Sequence, residues 1–514
     1  MHVFYRLSIV FCWLFLLLSG SFHVTYAAVS ASLVAASDSA IDTLRKRNCA
    51  ITVKSSGGAA VSGVSISVKQ IRHDFGFGAA IPYSILTDTN MQKVFLDHYE
   101  WAVFEDDLKW PSTDTSASGP DYAKPDSLFA FCQRNDIQVR GHNLFWNQKA
   151  EWLPAWVCSL KTSTEFMTAV NNRITNALGH YKGKISQWDV GNEVIHGNQL
   201  ETRSKMDTIW NYIFSKCRAT DSTLKLTIND YNIIEYYSDV DSFIRKIKSI
   251  TNPTKGTKGP VDIIGLEGHF GSIMTQSNYK AKLDTLAKLN VTMWLTEVDF
   301  SVHKDIRLDK FEELIRTAFA NRMVKGLMMW TFYGGHLWRD TLTSYIADSG
   351  TYEINDLGKR YDSLMQKWTT IDSGTTNDSG KYSFRGFMGK YVVSTKIDGK
   401  LQLDTVYLDT GKSVKSISIV NRVTGIGGNL VIGHSASVRN VRVNGTLISI
   451  AAAAELKAPL NVAVYTMTGR LIKLHQLGST VKDVAIKLPS GHYIYKIESG
   501  KKTIGEVRGV VLGM

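Results

Sequence analysis

The chain has 514 residues, of which 44% are hydrophobic and 21% charged, and its formal net charge is +12. This length exceeds one ordinary compact domain, and the composition excludes wholesale disorder. Residues 372–514 carry 19 Lys and Arg against 9 Asp and Glu, so the positive excess belongs mainly to the C-terminal part. Because no nucleic-acid-reading motif accompanies that charge, we predict no nucleic-acid partner. Solvated lysines on β-domain surfaces explain the charge, and binding to an acidic polysaccharide or an anionic cell envelope is the alternative.

Residues 1–28 have the features of a secretory signal peptide. Arg6 supplies a basic start, residues 9–18 form an unbroken apolar run, and the residues around Ala27 are small. The apolar run is too short to span a bilayer comfortably, which favours a cleaved signal over a membrane anchor. No other segment has the length and hydrophobicity of a transmembrane helix. We therefore expect a protein that is secreted, either extracellular or attached to the cell surface.

An N-terminal β accessory segment is predicted over residues 29–72. Within it, residues 50–71 alternate apolar and polar side chains around Gly57 and Gly58. This pattern predicts a β-hairpin with two half-buried strands.

From residue 73 to 371, short strand-like runs alternate with amphipathic helical stretches. The strand candidates are 75–81, 101–105, 137–145, 186–193, 224–230, 262–270, 292–300 and 326–332. Eight such units in about 300 residues predict an α/β fold, a (β/α)8 TIM barrel, as the central domain. An open doubly wound sheet is the alternative, but it usually carries a glycine-rich phosphate loop after an early strand, and none is found.

The chain becomes β-rich again after the predicted barrel. A second accessory segment is predicted over 372–424, and we expect it to pack with residues 45–72 in one small sandwich. After a glycine-rich break at 425–428, residues 428–514 predict a C-terminal β domain with a sorting or binding role.

Four cysteines lie outside the predicted signal: Cys49, Cys132, Cys158 and Cys217. They allow three full pairings, and free thiols are equally compatible with the sequence. No CxxC spacing occurs among them, so neither a zinc site nor another metal or cofactor is expected.

Polar and aromatic residues stand at the predicted carboxyl ends of the strands, where TIM barrels place their active sites. They are Glu105, His142, Glu193, Asn229, Asp230, Glu267, His269, Glu297, Asp299 and Trp330. Glu193 and Glu297 belong to the fourth and seventh strands, which face each other across the barrel mouth. Glycoside hydrolysis needs two flanking carboxyl groups, about 5–5.5 Å apart when anomeric configuration is retained.

These strand-end motifs resemble those of glycoside hydrolase family 10, the family of endo-β-1,4-xylanases. The matching segments are EDDLKW (105–110), GHNLFW (141–146), WDVGNE (188–193), NDYN (229–232), GLEGH (265–269), LTEVDF (295–300) and Trp330 with Trp338 and Arg339. Each motif is weak by itself, but seven of them in order over about 300 residues are very specific.

The resemblance implies a retaining endo-β-1,4-xylanase acting on xylan and xylo-oligosaccharides without a cofactor. Glu193 would be the acid/base and Glu297 the nucleophile. Asn192 would bind the 2-hydroxyl of the sugar being cleaved, and His269 would hydrogen-bond Glu297 and help keep it ionised. The other implied substrate-binding residues are Glu105, Asp106, Lys109, His142, Trp146, Tyr231, Glu267, Trp330 and Trp338.

The sequence departs from the family pattern at three positions. Asp106 stands where the family usually has Asn, Asn147 where many relatives have His, and Glu267 where Gln is commoner. An ionised Asp106 can accept hydrogen bonds from sugar hydroxyls but cannot donate them. Glu267 adds a third carboxyl group near the nucleophile.

Several polar residues are expected to be structural. Asp189 is interpreted as a structural residue of its strand end, whereas core packing and sugar contact are equally favoured for Tyr231. Three histidines lack motif support and are interpreted as surface or structural residues: His180, His303 and His336.

The last β region resembles the C-terminal sorting tails of bacterial type IX secretion at VYTMTGRLIK (464–473) and LPSGHYIYKI (488–497). That resemblance implies contact with the secretion machinery or the cell surface, and a generic carbohydrate-binding sandwich is the alternative. For the whole protein, two other functions compete with the xylanase: a carbohydrate-binding or adhesion protein on an inactive barrel, and a β-glycanase of another specificity.

Overall fold

The structure is a computed structural model. It describes residues 29–236, 239–250, 260–271, 275–397, 400–411 and 413–420, and seven strands between residues 438 and 511. The predicted signal segment and the glycine-rich break at 425–428 lie outside the described residues. None of the helices in these ranges combines the length and the apolar character that a bilayer crossing requires.

The N-terminal region begins with helix α1 (Ala31–Arg45), followed by strands β1 (Lys46–Lys54) and β2 (Ser65–His73). Ser30 caps the helix by accepting a hydrogen bond from the backbone N–H of Leu33. The predicted hairpin is wrong, because β1 and β2 belong to different sheets. Alternation of apolar and polar residues gives each strand one buried face, but it does not select the strand's partner.

Eight parallel strands close into a barrel, which confirms the predicted fold class. Hydrogen bonding between the last and the first strand completes the ring. In ring order they are β3 (Gly76–Ile81), β4 (Trp101–Phe104), β5 (Gln138–Gly141), β7 (Gln187–Asn192), β8 (Lys225–Asp230), β9 (Ile263–Leu266), β11 (Thr292–Phe300) and β12 (Val324–Met329). Two short strands extend the ladder at the carboxyl ends, namely β6 (Phe145–Trp146) beside β7 and β10 (His269–Phe270) beside β11.

Helices cover the barrel. The longest are α6 (Ser163–His180), which begins with a capping box of Thr162 and Glu165, and α11 (Lys304–Phe319). The others are α2 (Thr89–His98), α3 (Trp110–Thr113), α4 (Ala123–Arg134), α5 (Ala155–Ser159), α7 (Gln199–Ser204), α8 (Ile209–Thr220), α9 (Val240–Ser249), α10 (Gln276–Ala287) and α12 (Asp356–Trp368), with 3-10 turns at Tyr83–Leu86 and Ala150–Trp152.

The barrel interior is filled around the indole of Trp294, which is 5% exposed. Gly76 and Gly326 make room for it. A Cβ atom on Gly76 would lie 2.2 Å from Trp294 Cη2, and one on Gly326 would lie 2.3 Å from Trp294 Cζ3. Because these contacts are shorter than any real carbon–carbon approach, only glycine fits there.

A β-sandwich combines strands from both sides of the barrel sequence. One sheet has the order β14 (Lys381–Phe387), β1, β17 (Lys415–Val420), and the other has the order β13 (Ile371–Thr375), β2, β15 (Gly389–Ile397), β16 (Lys400–Leu408). Buried side chains of the two sheets, including Ile51, Val68, Tyr391 and Val393, form its core. The strands of the two predicted accessory segments therefore pair with each other and share one core. The predicted domain limits remain predictions.

The buried guanidinium of Arg45, at the end of α1, bonds to the chain between α11 and the last barrel strand. It donates hydrogen bonds to the backbone carbonyls of Phe319, Asn321 and Val324, at 2.6–2.8 Å. Because three carbonyl groups satisfy one buried cation, this residue fixes α1 against the barrel.

The last strands form two antiparallel sheets. One contains β18 (Val438–Asn444), β19 (Leu447–Ala452) and β22 (Asp483–Ala485). The other contains β21 (Leu471–Leu477), β20 (Leu460–Thr466), β23 (Gly491–Ser499) and β24 (Lys502–Val511). The sorting or binding role of this region stays a prediction. Among the described residues the four cysteines outside the signal are free thiols.

Candidate active site

Glu193 and Glu297 both lie at the carboxyl ends of barrel strands. Glu193 follows β7 directly, and its backbone N–H donates to the carbonyl of Asn229 at the end of β8, 2.9 Å away. Its backbone φ of 53° lies in the left-handed region, which residues other than glycine rarely adopt. Glu297 lies within β11. The side chains are 7% and 5% exposed, so both carboxyl groups are largely removed from water.

The carboxylate of Glu297 is held by two donors. Asn229 Nδ2 lies 2.9 Å from its Oε1, and His269 Nε2 lies 3.3 Å from its Oε2. Burial raises the pKa of Glu297, but the His269 hydrogen bond and the charges of His142, His269 and Lys109 outweigh it and lower the pKa to about 2. Glu297 is therefore an anion at neutral pH, as a nucleophile must be.

Glu193 has the opposite electrostatic environment. Burial raises its pKa to about 7, and the negative charges of Glu297 and Asp230 add to this, while the Trp146 indole partly opposes it. Its Oε2 atom is buried without a hydrogen-bond partner among the described residues. Glu193 can thus hold a proton near neutral pH and give it up when the neighbouring anion is neutralised.

His269 is tied to a second carboxylate. Its Nδ1 lies 2.9 Å from Asp299 Oδ2, and Asp299 also accepts hydrogen bonds from Trp338 Nε1 at 2.6 Å and Arg339 Nη2 at 3.2 Å. Burial lowers the pKa of His269, but Asp299 and Glu297 outweigh it and raise the pKa to about 10. His269 is therefore a cation whose orientation Asp299 fixes. Sequence reasoning gave Asp299 no role, although its place two residues after Glu297 puts it on the same face of the strand.

Asn229 connects the predicted nucleophile to a predicted substrate-binding residue. Its Nδ2 donates to Asn192 Oδ1 at 2.7 Å as well as to Glu297, and its Oδ1 accepts the hydroxyl hydrogen of Thr296 at 2.6 Å. The Thr296 hydroxyl bonds to the oxygen of the Asn229 amide, and the Asn192 oxygen accepts a hydrogen bond from its nitrogen. These two bonds fix the orientation of both side-chain amides, so Asn192 Nδ2 points away from Asn229. Among the described residues that group has no hydrogen-bond partner, so it can donate to a ligand.

His142 is oriented by a buried ion pair beneath the site. Its Nδ1 lies 3.0 Å from Asp189 Oδ2, and Arg140 Nη2 lies 2.5 Å from Asp189 Oδ1. All three side chains are at most 2% exposed. Asp189 acts here as a strand-end structural residue, and it directs the His142 ring, whose centroid lies 5.3 Å from that of Trp330.

One side of the mouth carries the predicted residues Glu105, Asp106 and Lys109. Lys109 Nζ donates to Asp106 Oδ1 at 2.7 Å and lies 4.6 Å from the ring centroid of Trp146. Asp106 is not in the barrel wall, since its side chain is 70% exposed. Trp146 stacks on Trp152 with ring centroids 4.1 Å apart.

His336 lies beside these residues. Its side chain is 46% exposed, in agreement with its interpretation as a surface residue, and it contacts a predicted site residue. Its Nε2 lies 2.6 Å from Glu105 Oε2. His336 precedes Trp338 in the loop after β12, so only proximity to a recognised motif could have indicated it. His180 and His303 lie away from the site: His180 bonds to Asp126, and His303 caps α11.

Tyr231 lies in the loop after β8. Its ring stacks on His196 with centroids 4.0 Å apart, and its hydroxyl accepts a hydrogen bond from Gln148 Nε2 at 3.1 Å. His196 is itself fixed by Asp230, 2.5 Å from its Nδ1. Tyr231 is therefore a supported aromatic surface at the rim and not part of the closed core.

Two tryptophans at the mouth provide apolar surface that suits sugar rings. Trp330 is 8% exposed, whereas Trp338 is 45% exposed and lies with its ring centroid 5.0 Å from that of His269. Partly exposed indoles beside hydrogen-bonding groups match the apolar faces and polar edges of a saccharide.

Glu267, His269 and Glu297 are the one group of described side chains with a spacing that would suit a metal ion, with ligand atoms within 4.8 Å of one another. The chemistry of these donors does not favour an ion. His269 uses Nδ1 to bond Asp299, and its raised pKa keeps a proton on Nε2, the nitrogen that would have to bind the metal.

Comparisons with known proteins agree with this geometry. Residues 67–356 match the family described as Glycosyl hydrolase family 10. The chain is 39% identical over 362 residues to the anti-sigma-I factor RsgI6 of Acetivibrio thermocellus. The matching region covers 70% of this chain and 46% of that protein. It is also 31% identical over 380 residues to endo-1,4-beta-xylanase 2 of Arabidopsis thaliana. That match covers 74% of this chain and 35% of the Arabidopsis protein. This chain therefore spans less than half the length of these two relatives.

Among solved structures, xylanase 10B from Thermotoga petrophila RKU-1 in complex with xylobiose is similar in fold. The TM-score is 0.52 at 21% sequence identity, over 57% of this chain and 94% of that chain. At this identity the likeness concerns the fold.

Proposed function

This chain belongs to glycosyl hydrolase family 10, and from that premise we propose that it is an endo-β-1,4-xylanase that hydrolyses internal bonds of xylan with retention of configuration. The observation that carries the proposal is the pair of strand-end carboxyl groups with opposite protonation. Glu297 has a pKa of about 2 and Glu193 a pKa of about 7. Environments that separate two carboxyl groups in this way assign the nucleophile and the acid.

In the first step a carboxylate oxygen of Glu297 bonds to the anomeric carbon. The bond from that carbon to the leaving oxygen breaks, and Glu193 transfers its proton to that oxygen. His269 and Asn229 hold the Glu297 carboxylate in place, while Asn192 binds the 2-hydroxyl of the reacting sugar. The product is a glycosyl ester of Glu297 and a shortened chain with a free hydroxyl group.

In the second step water replaces the ester. Glu193 is a carboxylate after its proton transfer. It stays ionised because the negative charge of Glu297 is gone, which removes one contribution that raised the pKa of Glu193. It accepts a proton from water, whose oxygen bonds to the anomeric carbon while the ester bond breaks. Two displacements at the same carbon give overall retention, and both carboxyl groups return to their initial states.

Preference for xylan is supported by crowding at the mouth. Lys109 is only 7% exposed and lies 4.6 Å from the Trp146 ring centroid and 6.0 Å from that of Trp330. A glucose unit would need extra room there for its hydroxymethyl group, which xylose lacks. The relatives named as endo-1,4-beta-xylanases are consistent with this substrate.

Export belongs to the same proposal. The basic and apolar residues of 1–28 support a signal peptide, and we infer secretion with release or surface attachment. The C-terminal strands support a separate β region that acts in sorting, in attachment or in carbohydrate binding. Fusing residues 428–514 to a reporter protein and locating the reporter would test the sorting role, since an unchanged location would reject it.

The central experiment compares reducing-sugar release from xylan, cellulose and mannan. We expect rapid release from xylan by the wild type and none by Glu297→Ala. Added azide should let Glu297→Ala cleave the chain again, and because the product is an inverted glycosyl azide without a reducing end, it is detected by mass spectrometry. The control is Glu353→Gln, a substitution at an exposed acidic residue that is not one of the predicted site residues. Wild-type activity in Glu297→Ala would reject the assignment, and xylan binding without hydrolysis by the wild type would favour an inactive, carbohydrate-binding barrel.

A further inference from the structure

A third carboxyl group lies next to the nucleophile and shares its hydrogen-bond donors. Glu267 is 1% exposed, and its Oε1 lies 3.2 Å from Asn229 Nδ2, the nitrogen that also bonds Glu297 Oε1 at 2.9 Å. Glu267 Oε2 lies 3.7 Å from His269 Nε2, which is 3.3 Å from Glu297 Oε2. Two buried carboxyl groups thus face the same two nitrogen atoms.

The number of donors is too small for two carboxylates. Asn229 commits one of its two N–H groups to Asn192 Oδ1, and the hydroxyl of Thr296 fixes the orientation of the amide. One N–H of Asn229 and one of His269 therefore serve four carboxyl oxygens. The charge of His269 is in addition shared with Asp299. Two adjacent buried anions with so few donors repel each other, and such a pair retains a proton.

We propose that Glu267 and Glu297 hold one proton between them and that it resides on Glu267, which therefore acts as a neutral hydrogen-bond donor beside the Glu297 carboxylate. Its contribution to turnover rests on the proposed hydrolysis. The position of the proton does not depend on that activity.

The distances place the proton on Glu267 and not on Glu297. Both shared donors are nearer to Glu297, by 0.3 Å for Asn229 and 0.4 Å for His269. His142 Nδ1 lies 3.9 Å from Glu297 Oε1 and favours its anionic form further. Glu297 thus takes the negative charge, and Glu267 is left with the weaker contacts.

The charged groups around Glu267 act in the same direction. Burial raises the pKa of Glu267 well above its ordinary value, and neighbouring anions raise it further. The groups that face it from the surrounding elements are Glu193 after β7, Asp230 at the end of β8, Glu235 in the following loop, His269 in β10 and Glu297 in β11. His269 is the one cation among them, and it is closer to Glu297.

The raised pKa has a definite consequence for pH dependence. Glu267 keeps its proton below that pKa and loses it as the pH rises through it. Deprotonation would remove a donor and place a second anion beside Glu297. An amide at this position would supply N–H donors at every pH.

The kinetic test uses Glu267→Ala, Glu267→Gln and wild type with 2,4-dinitrophenyl β-xylobioside, whose leaving group needs no proton from Glu193. Glu267→Ala should lower kcat/KM about ten- to a hundredfold, and Glu267→Gln should recover most of it. The ratio of Glu267→Gln to wild-type activity should stay constant or rise between about pH 5 and 9. A ratio that falls with rising pH would overturn the proposal, because it would mean that the ionised form contributes.

A direct test does not need turnover. In protein labelled with 13C at the glutamate carboxyl carbons, the Glu267 resonance should have the chemical shift of a carboxylic acid at pH 6 and be absent from Glu267→Gln. The Glu353→Gln control should retain it. A carboxylate shift for Glu267 would overturn the shared proton even in an active enzyme, whereas an acid shift in an inactive protein would reject only the proposed hydrolysis.

Discussion

Replacing His269 by alanine should move the acid side of the pH–activity profile. His269 is 16% exposed and joins Glu297 at 3.3 Å to Asp299 at 2.9 Å. It is the strongest of the groups that lower the pKa of Glu297. Without it, the carboxylate stays buried and keeps only Asn229 as a close donor.

The size of the effect follows from the pKa of Glu297, which lies at about 2, below the ordinary 4.5 of a glutamic acid. At about 1.4 kcal/mol per unit, the surroundings favour the carboxylate by about 3 kcal/mol. After the substitution burial still raises the pKa of Glu297, while the charges of His142, 3.9 Å away, and of Lys109 still lower it. We expect the pKa of Glu297 to rise by about two units.

The decrease in stability should be largest in the mildly acidic range. Because its folded pKa is depressed, Glu297 contributes stability above pH 4.5, and the contribution is lost as the pH falls through about 2. His269 has a raised pKa, so its contribution is present below pH 6.5 and lost as the pH rises through about 10. Between pH 4.5 and 6.5 both contributions are complete, and the variant should show its largest decrease in Tm there.

The assay is kcat/KM for 2,4-dinitrophenyl β-xylobioside against pH, with Tm measured in the same buffers. His303→Ala is the control, because His303 is an exposed histidine at the start of α11 that contacts Asp305 and no residue of the site. The acid limb should move up by about two units in His269→Ala and not in the control. An acid limb within about half a unit of wild type would refute the reasoning, since another group would then keep Glu297 ionised.

Three further outcomes are expected. His336→Ala should raise KM for xylotriose up to about tenfold with little change in kcat, because Glu105 loses the 2.6 Å hydrogen bond that orients it. A decrease in kcat as large as the increase in KM would contradict this. Asp106→Asn should change kcat/KM up to about tenfold, and the change should be larger on short oligosaccharides than on polymer. The substitution also weakens the bond to Lys109. Equal effects at every chain length would contradict a role in sugar binding. Removal of residues 428–514 should leave kcat on soluble xylan unchanged, since no predicted site residue lies there; lost activity in a folded barrel would contradict it.

The barrel was predictable because each strand carried its own signal. Apolar runs ended in polar residues at the positions where a TIM barrel has its carboxyl ends, and the motifs at 188–193 and 295–300 assigned the two glutamates. Helix α1 gave no such signal. Its sequence is rich in Ser and Ala, and the helix is fixed by Arg45, whose partners lie 274 to 279 residues later.

The packing of the two accessory segments was predicted, but the strand pairing within the sandwich and the position of His336 were not, for one physical reason. Strand patterns determine which face is buried, but β1 and β2 find their partners beyond residue 370, so the nearest strand in sequence was the wrong partner. The bond between His336 and Glu105 joins residues 231 positions apart. Proximity of this kind is a product of tertiary structure and leaves no local pattern.

The pairing of β1 with β17 has a consequence for the order of folding. Cys49 lies opposite Lys415 in this parallel ladder, so the two strands are separated by the whole catalytic barrel. A chain that leaves a ribosome or a translocation channel from its N-terminus presents β1 and β2 long before any partner exists. Contacts this far apart in sequence form late, because the entropy of closing the intervening loop must be overcome first. The barrel brings its own ends together, and the sandwich completes folding only after the barrel exists.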